Sequence, residues 1–161
     1  KELLQEAADK GFAELFDSSG ELAEATGFEA VTLNPLGLLE KTKSDGTIKY
    51  RIIWDLLKSR VNEVVSQGER IILPGIFDVV LDIIALYRRC ETHESVVMLV
   101  IDICDAFNNI PVRENERRFT CAEVDGKFVV FKSLVFGSGS SPTVWGRFAA
   151  FAGRFIMSLF F

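Results

Sequence analysis

The sequence predicts an α+β fold with an antiparallel sheet and flanking helices. Three observations carry this expectation. Two pairs of strand-like segments are joined by strong turn signals, Ser44-Asp45-Gly46-Thr47 and Asp125-Gly126. The segments run helix, hairpin, helix, strand, hairpin, helix, which is not the repeating order of a parallel sheet. The 161 residues are 48% apolar, 11% aromatic and 25% charged, enough to bury a core and contrary to disorder, collagen or a coiled coil.

Each element follows from local pattern. Leu3, Leu4, Ala7, Phe12 and Leu15 form a helix-like stripe over residues 2–16, ended by Ser18-Ser19-Gly20, with a short further turn from Glu21 to Ala25. Val31, Leu33, Leu38 and Leu39, broken by Asn34-Pro35, read as an edge strand or an extended arm. Ile48 to Trp54 is β-branched and aromatic, so residues 38–54 are expected as a hairpin, and Val61 to Ile72 mostly as loop. Pro74 opens a helix through Arg89. Its polar stripe, Asp78, Asp82, Ala85 and Arg89, is so thin that burial on most sides is expected. Val96 to Ile101 is a continuous apolar run, as for a strand covered on both faces. Arg118–Val124 and Lys127–Leu134 are the second hairpin. A long apolar helix then runs to the end, with Ser141 as N-cap and Pro142 at its first position.

Several functional classes are disfavoured at this stage. The nearly uncharged stretch 148–161 is short of the roughly 18 residues of a membrane span and contains Arg154. Lys1, Glu2 and Glu6 leave no apolar signal-peptide core, so an intracellular protein, or an internal piece of a larger one, is expected. Cys90, Cys104 and Cys121 lack CxxC spacing and read as reduced, buried thiols. No GxSxG occurs and His93 is the only histidine, which argues against a serine hydrolase; no Lys follows Gly137-Ser138-Gly139 as a Walker loop would need.

Charge is unevenly placed. The net charge is −5, yet residues 41–60 carry Lys41, Lys43, Lys49, Arg51, Lys58 and Arg60 against Asp45 and Asp55, a local +4. Residues 1–40 hold two Lys against nine acids. The basic island suits phosphate or nucleic-acid contact, and equally a solvated hairpin edge. Asp102 is the other anomaly, a carboxylate directly after the apolar run, in Ile101-Asp102-Ile103-Cys104-Asp105. A charge there calls for a partner. It could cap a helix starting near Ala106, pair with an arginine such as Arg51, or join Asp105 in holding a hard cation.

Val100-Ile101-Asp102-Ile103-Cys104-Asp105-Ala106-Phe107-Asn108-Asn109-Ile110-Pro111-Val112 resembles the first palm motif of reverse transcriptases of retroviruses and long-terminal-repeat retrotransposons. The resemblance continues in register. Lys43-Ser44-Asp45-Gly46 with Tyr50-Arg51-Ile52-Ile53-Trp54-Asp55-Leu56 is similar to the fingers hairpin, and Val61-Asn62 and Leu73-Pro74 fall on its Leu-Asn and proline. Gly126-Lys127-Phe128, Phe131 and Leu134-Val135-Phe136-Gly137 are similar to the family's second hairpin, and Ser141-Pro142-Thr143-Val144-Trp145 to the helix start beyond it. The matched span is roughly residues 38–148. Val135-Phe136 replaces the retroviral Pro-Gln pair, Ser138 and Ser140 make the loop more polar, and Leu57-Lys58-Ser59-Arg60 is one residue longer than the usual spacing.

The resemblance implies a right-hand polymerase: an unassigned N-terminal helical extension (1–37), a fingers-like part (38–95) and an incomplete palm-like part (96–161). The second catalytic motif, Tyr/Phe-x-Asp-Asp, and the thumb are expected outside these residues. It further implies RNA-directed DNA synthesis on an RNA or DNA template-primer, within a polyprotein and without a membrane. Asp102 would be catalytic and, with the Ile103 carbonyl, would bind Mg2+, with Mn2+ as the alternative ion. Lys43 and Arg51 would reach the phosphates of a deoxynucleoside triphosphate, and Asp105 and Ala106 would lie against them. Phe107 would exclude a ribose 2′-hydroxyl, although ten of the fourteen Phe lie after residue 106 and a plain core role stays open. Phe136 and Gly137 would pack around the nucleotide, and Lys41, Lys49, Lys58 and Arg60 would contact nucleic acid. An RNA-directed RNA polymerase fits less well, since its first-motif aspartates are usually more widely spaced. The rival of another class is a non-catalytic relic or co-opted fragment that only binds nucleic acid or a partner.

Overall fold

The structure is a computed structural model. It describes all residues except Gln67, Arg70, Pro74, residues 91–94, Val96 and residues 160–161. The expected helix-opening role of Pro74, His93, the first residue of the expected strand at Val96 and the last residues of the terminal helix lie outside the described residues. The fold is α+β with antiparallel sheets. Two compact units make up the chain, one of Lys1–Glu69 with Asp105–Phe161, the other of Arg70–Cys104.

The first unit contains a three-stranded sheet in the order β1 (Ala13–Phe16), β5 (Lys127–Phe131), β4 (Cys121–Val124), antiparallel throughout. β5 is central, and its run Phe128-Val129-Val130-Phe131 is covered on both faces. Val129 and Phe131 join Leu4, Ala7, Ala13, Trp54, Leu56, Ala122 and Val135 on one face. Val130 joins Leu22 and Cys121 on the other, with Phe128 packed against them. The two-residue turn Asp125-Gly126 has φ of 52° and 76°, the left-handed pair that twists a tight hairpin correctly. β2 (Leu36–Thr42) and β3 (Ile48–Trp54) form the other hairpin, as expected.

β1 corrects the reading of residues 2–16 as one helix. The helix α1 (Glu2–Asp9) stops at Lys10 because Gly11 turns left-handed, φ 77°, and the Phe12 N–H returns to the Ala7 carbonyl at 2.9 Å. Ala13 to Phe16 then pairs in register with Phe131 to Phe128. The helical spacing of Phe12 and Leu15 was a coincidence of a short strand. α2 (Ser19–Thr26) is capped by Ser18, whose hydroxyl accepts from the Glu21 N–H, and seats the fully buried Leu22.

Asn34 ties the arm between α2 and β2 to the sheet. It is 2% exposed, donates through Nδ2 to the Phe119 and Cys121 carbonyls, both at 2.8 Å, and accepts from the Ser59 hydroxyl at 2.6 Å. The segment beyond Asp55 is mostly turns, with a single helical turn, α3 (Val61–Val64). A 3-10 helix, Glu114–Phe119, leads into β4. The last helix, α5 (Ser141–Met157), begins with Ser141 itself, not after it. The Ser141 hydroxyl is buried and donates to the Val135 carbonyl at 2.9 Å, so it is unavailable as a cap, and Ser140 precedes the helix without a side-chain cap.

In the second unit, α4 (Ile76–Tyr87) is capped by the Asp78 carboxylate, which accepts the Gly75 N–H at 2.7 Å. None of its residues is buried, contrary to expectation; Phe77 is 80% exposed. One helix within so short a unit has too few neighbours to cover it. Residues 97–103 form neither strand nor helix and are exposed, which overturns the buried strand expected to end at Asp102 beside the 118–134 hairpin. Both sides of β5 are already taken by β1 and β4, and an apolar run without a ladder partner is not a strand. All three cysteines are free of disulfides, as expected, but the expected burial holds for Cys121 alone. Burial pushes its thiol up to about 12, whereas Cys90 is half-buried and Cys104 exposed. Among the described residues no helix is long and apolar enough to cross a membrane.

Core position sets the cost of truncation. Leu56→Ala, at a site 2% exposed, is expected to cost about 2–5 kcal/mol. Leu81→Ala on α4, 64% exposed, is expected to stay within about 0.5 kcal/mol. Urea unfolding of both variants checks the contrast, and equal losses would contradict the assignment of the core.

Candidate functional site

The hairpin carries its cations in one row. Pairing sets Lys41 directly opposite Lys49 and Leu39 opposite Arg51, so alternation places Lys41, Lys49 and Arg51 on one face. Glu40, Tyr50, Ile52 and Trp54 belong to the other. All three cations are exposed. A lysine directly opposite a lysine is unfavourable unless an anion lies between or above them.

The hairpin tip holds Lys43. Its N–H donates to the Thr47 carbonyl at 2.8 Å and its carbonyl accepts from the Gly46 N–H at 3.0 Å. Gly46 supplies the positive φ of 82°. Asp45 accepts from both the Thr47 hydroxyl and N–H, at 2.6 and 2.9 Å, and these bonds, the hydroxyl first, hold its carboxyl below the usual range. Lys58 and Arg60 sit elsewhere, on the turns after β3. Arg60 adopts φ 65° and already pairs with Glu63 at 2.8 Å.

Three expected nucleotide residues, distant in sequence, meet in the first unit. The Arg51 guanidinium carbon lies 5.8 Å from the centre of the Phe136 ring. The Phe136 and Phe107 rings are 4.8 Å apart, centre to centre, tilted by 43°. Phe107 is half-buried and Phe136 37% exposed, so neither is a plain core residue. Ala106 is half-buried beside them in sequence. Asp105 opens this turn with φ 50°, its carboxylate 3.0 Å from the Lys10 ammonium.

Backbone hydrogen bonds fix the segment that presents Phe136. The Trp54 N–H donates to the Phe136 carbonyl at 2.8 Å. Asn62 donates to the Gly137 carbonyl at 2.8 Å and accepts from the Gly139 N–H at 2.9 Å. Gly137 has φ 112°, and a Cβ there would run into the backbone carbonyl of Trp54. Glycine is therefore obligatory at this position.

Asp102 and Ile103 belong to the second unit and are exposed, whereas Asp105 belongs to the first. The turns over residues 104–109 do not give Asp102 a helix to cap. Among the described residues no three His, Cys, Asp or Glu side chains come together to hold a metal. Lys10, Asn62 and Trp54 carry the site's geometry without having been singled out for a role. The Asn62 position was visible in the motif match; Lys10 had no sequence signal. No protein-family model matches the chain, and no curated protein matches it either.

Two outcomes follow. Gly137→Ala is expected to destabilise by more than about 2 kcal/mol through backbone strain, read by thermal and urea unfolding. A variant as stable as the parent would contradict the close approach to Trp54. The lowered Asp45 carboxyl contributes stability that is present above its ordinary value of 3.8 and lost as pH falls through the lower folded value. Following the Thr47 amide resonance by NMR titration should show a midpoint below that of an unstructured Asp.

Proposed function

We propose that this chain is the fingers and part of the palm of an RNA-directed DNA polymerase of the reverse-transcriptase type. It would work inside the cell as part of a polyprotein. The reaction is nucleotidyl transfer: the primer 3′-oxygen bonds to the α-phosphorus of a deoxynucleoside triphosphate, and the bond to pyrophosphate breaks. The observation that carries the reading is the convergence of Arg51, Phe136 and Phe107. Each falls on a nucleotide-contacting position of the resembled family, and residues 51, 107 and 136 share no local reason to meet.

The chemistry of each part supports the assignment. Arg51 offers a planar fork of donors suited to phosphate oxygens, and Lys43 at the tip a mobile point charge. Phe136 offers a face on which a base can stack. Phe107, pressed against Phe136, is a rigid wall where a 2′-hydroxyl would collide. Lys41 and Lys49 form a phosphate-facing row for the nucleic acid, with Lys58 and Arg60 as outlying contacts.

Magnesium or manganese would supply charge neutralisation of the triphosphate when bound. Asp102 and the Ile103 carbonyl provide two oxygen donors, short of what a hard, six-coordinate cation requires. The described residues therefore do not complete a site by themselves. The competing reading, a nucleic-acid-binding module without catalysis, shares the basic row but assigns no role to Asp102 or Phe107.

The 161 residues alone are expected to bind template-primer and deoxynucleoside triphosphate weakly and to extend no primer. Arg51→Glu should weaken template-primer binding and lower its salt slope by about one. Phe107→Val should raise ribonucleoside triphosphate affinity relative to the deoxy form. Fluorescence anisotropy over a salt series and competition between the two sugars measure both. Unchanged sugar preference would leave the non-catalytic module as the better reading, and primer extension by the chain alone would show that the catalytic residues are misplaced.

A further inference from the structure

Residues 1–37 match no part of the resembled family, yet they deliver a cation to its central motif. The Lys10 ammonium lies 3.0 Å from the Asp105 carboxylate and 2.9 Å from that of Glu6. Both ends of the longer contact are anchored on one residue, Lys132, directly after the central strand β5. The Lys132 N–H donates to the Phe12 carbonyl at 2.8 Å, and the Lys132 carbonyl accepts from the Val112 N–H, also at 2.8 Å. Phe12 is two residues from Lys10, and Gly11 between them is fixed by its left-handed turn. On the other side, Pro111 bridges to Ser133 and the Leu134 N–H reaches the Ile110 carbonyl at 2.9 Å, which sets the turn carrying Asp105 and Phe107. The pair is thus placed by backbone, not only by two long side chains finding each other.

We propose that Lys10 is a positioning residue of the nucleotide site, acting through Asp105. The inference rests on the triphosphate reading of that site. A bare carboxylate two residues from Phe107 would repel the phosphates of a nucleotide lodged on Phe107, Phe136 and Arg51. Lys10, shared between Glu6 and Asp105, offsets part of that charge and holds the carboxylate toward α1. Its own pKa is raised by the Glu6 and Asp105 contacts, Glu6 first, so the ammonium is charged throughout the neutral range. The Lys132 ammonium is engaged elsewhere, with Glu14 at 2.8 Å, and does not substitute for it.

The test is the dependence of binding on ligand charge. Deoxyguanosine triphosphate and uncharged deoxyguanosine are titrated against the 161-residue protein and four variants, with a thermal melt of each. Lys10→Met is expected to weaken triphosphate binding roughly fivefold, the effect of one unscreened charge near the surface. Nucleoside binding should be unchanged. Lys10→Arg should keep the parent affinity, and Asp105→Asn should bind triphosphate at least as well as the parent. The double variant Lys10→Met with Asp105→Asn should recover parent affinity, because the Asp105 charge is removed together with the Lys10 charge and only Glu6 remains, the same net charge as in the parent. Triphosphate and nucleoside affinities that fall together, a double variant no better than Lys10→Met, or an unaffected Lys10→Met would each overturn the proposal. A parent protein that binds no triphosphate would instead overturn the nucleotide reading itself, and this inference with it.

Discussion

The close approach of the Trp54 backbone to Gly137 is the constraint on which the first unit's site depends. Trp54 is 2% exposed, its ring stands edge-on to Phe131 at 5.2 Å, and its partner across the hairpin is Leu36. This pins the base of the β2–β3 hairpin to the central strand of the sheet. The same residue's N–H holds the Phe136 carbonyl, and its own carbonyl fills the space a side chain at 137 would need. Along β3, Arg51 is three positions from Trp54 and so faces the opposite way. Once Trp54 is buried, Arg51 has to point outward, and it does so over the ring of Phe136.

Polar groups complete what the apolar core begins. Asn34 and Asn62 do comparable work at two ends of one loop system. Each uses both ends of its amide: Asn34 donates to the Phe119 and Cys121 carbonyls and accepts from the Ser59 hydroxyl, and Asn62 donates to the Gly137 carbonyl and accepts from the Gly139 N–H. A buried amide with all its groups satisfied costs little and specifies one arrangement, whereas the same amide left unpaired would destabilise by one or more kcal/mol. These bonds let the chain keep Arg51, Phe107 and Phe136 in place without enclosing them in a deep core.

What could be read from sequence divides along physical lines. The hairpins were legible because Asp45-Gly46 and Asp125-Gly126 encode positive φ locally, and no tertiary partner can readily override that. The positions of Arg51, Phe107 and Phe136 were legible through motif resemblance, although not their contact, which spans 85 residues. β1 was not legible. Four residues following a helix carry too little period to distinguish strand from helix, and the pairing to β5 decides the matter. The rule that a continuous apolar run marks a strand covered on both faces was sound but landed on the wrong segment. It describes Phe128 to Phe131, whereas Val97 to Ile101, equally apolar, has no ladder. The contribution of Lys10 was invisible because nothing in a lone lysine after a helix announces a carboxylate 95 positions away.

The placement of charge makes the electrostatic logic asymmetric. The first 40 residues hold nine acids against Lys1 and Lys10, and both of those lysines are paired with acids, Lys1 with Asp125 and Lys10 with Glu6 and Asp105. An approaching polyanion therefore meets repulsion over much of the N-terminal segment. The densest run of cations is the hairpin row of Lys41, Lys49 and Arg51, together with Lys43 at its tip. At physiological salt the screening length is about 8 Å, so the net charge of −5 does not cancel so local a row. A lysine pair set face to face is a standing electrostatic cost, which an anion spanning the pair would turn into attraction. On the proposed reading the same logic would govern both ends of the site: cations would crowd where phosphates are received, and Asp105, two residues from Phe107, is paired with a cation from a segment of the chain that the motif does not include.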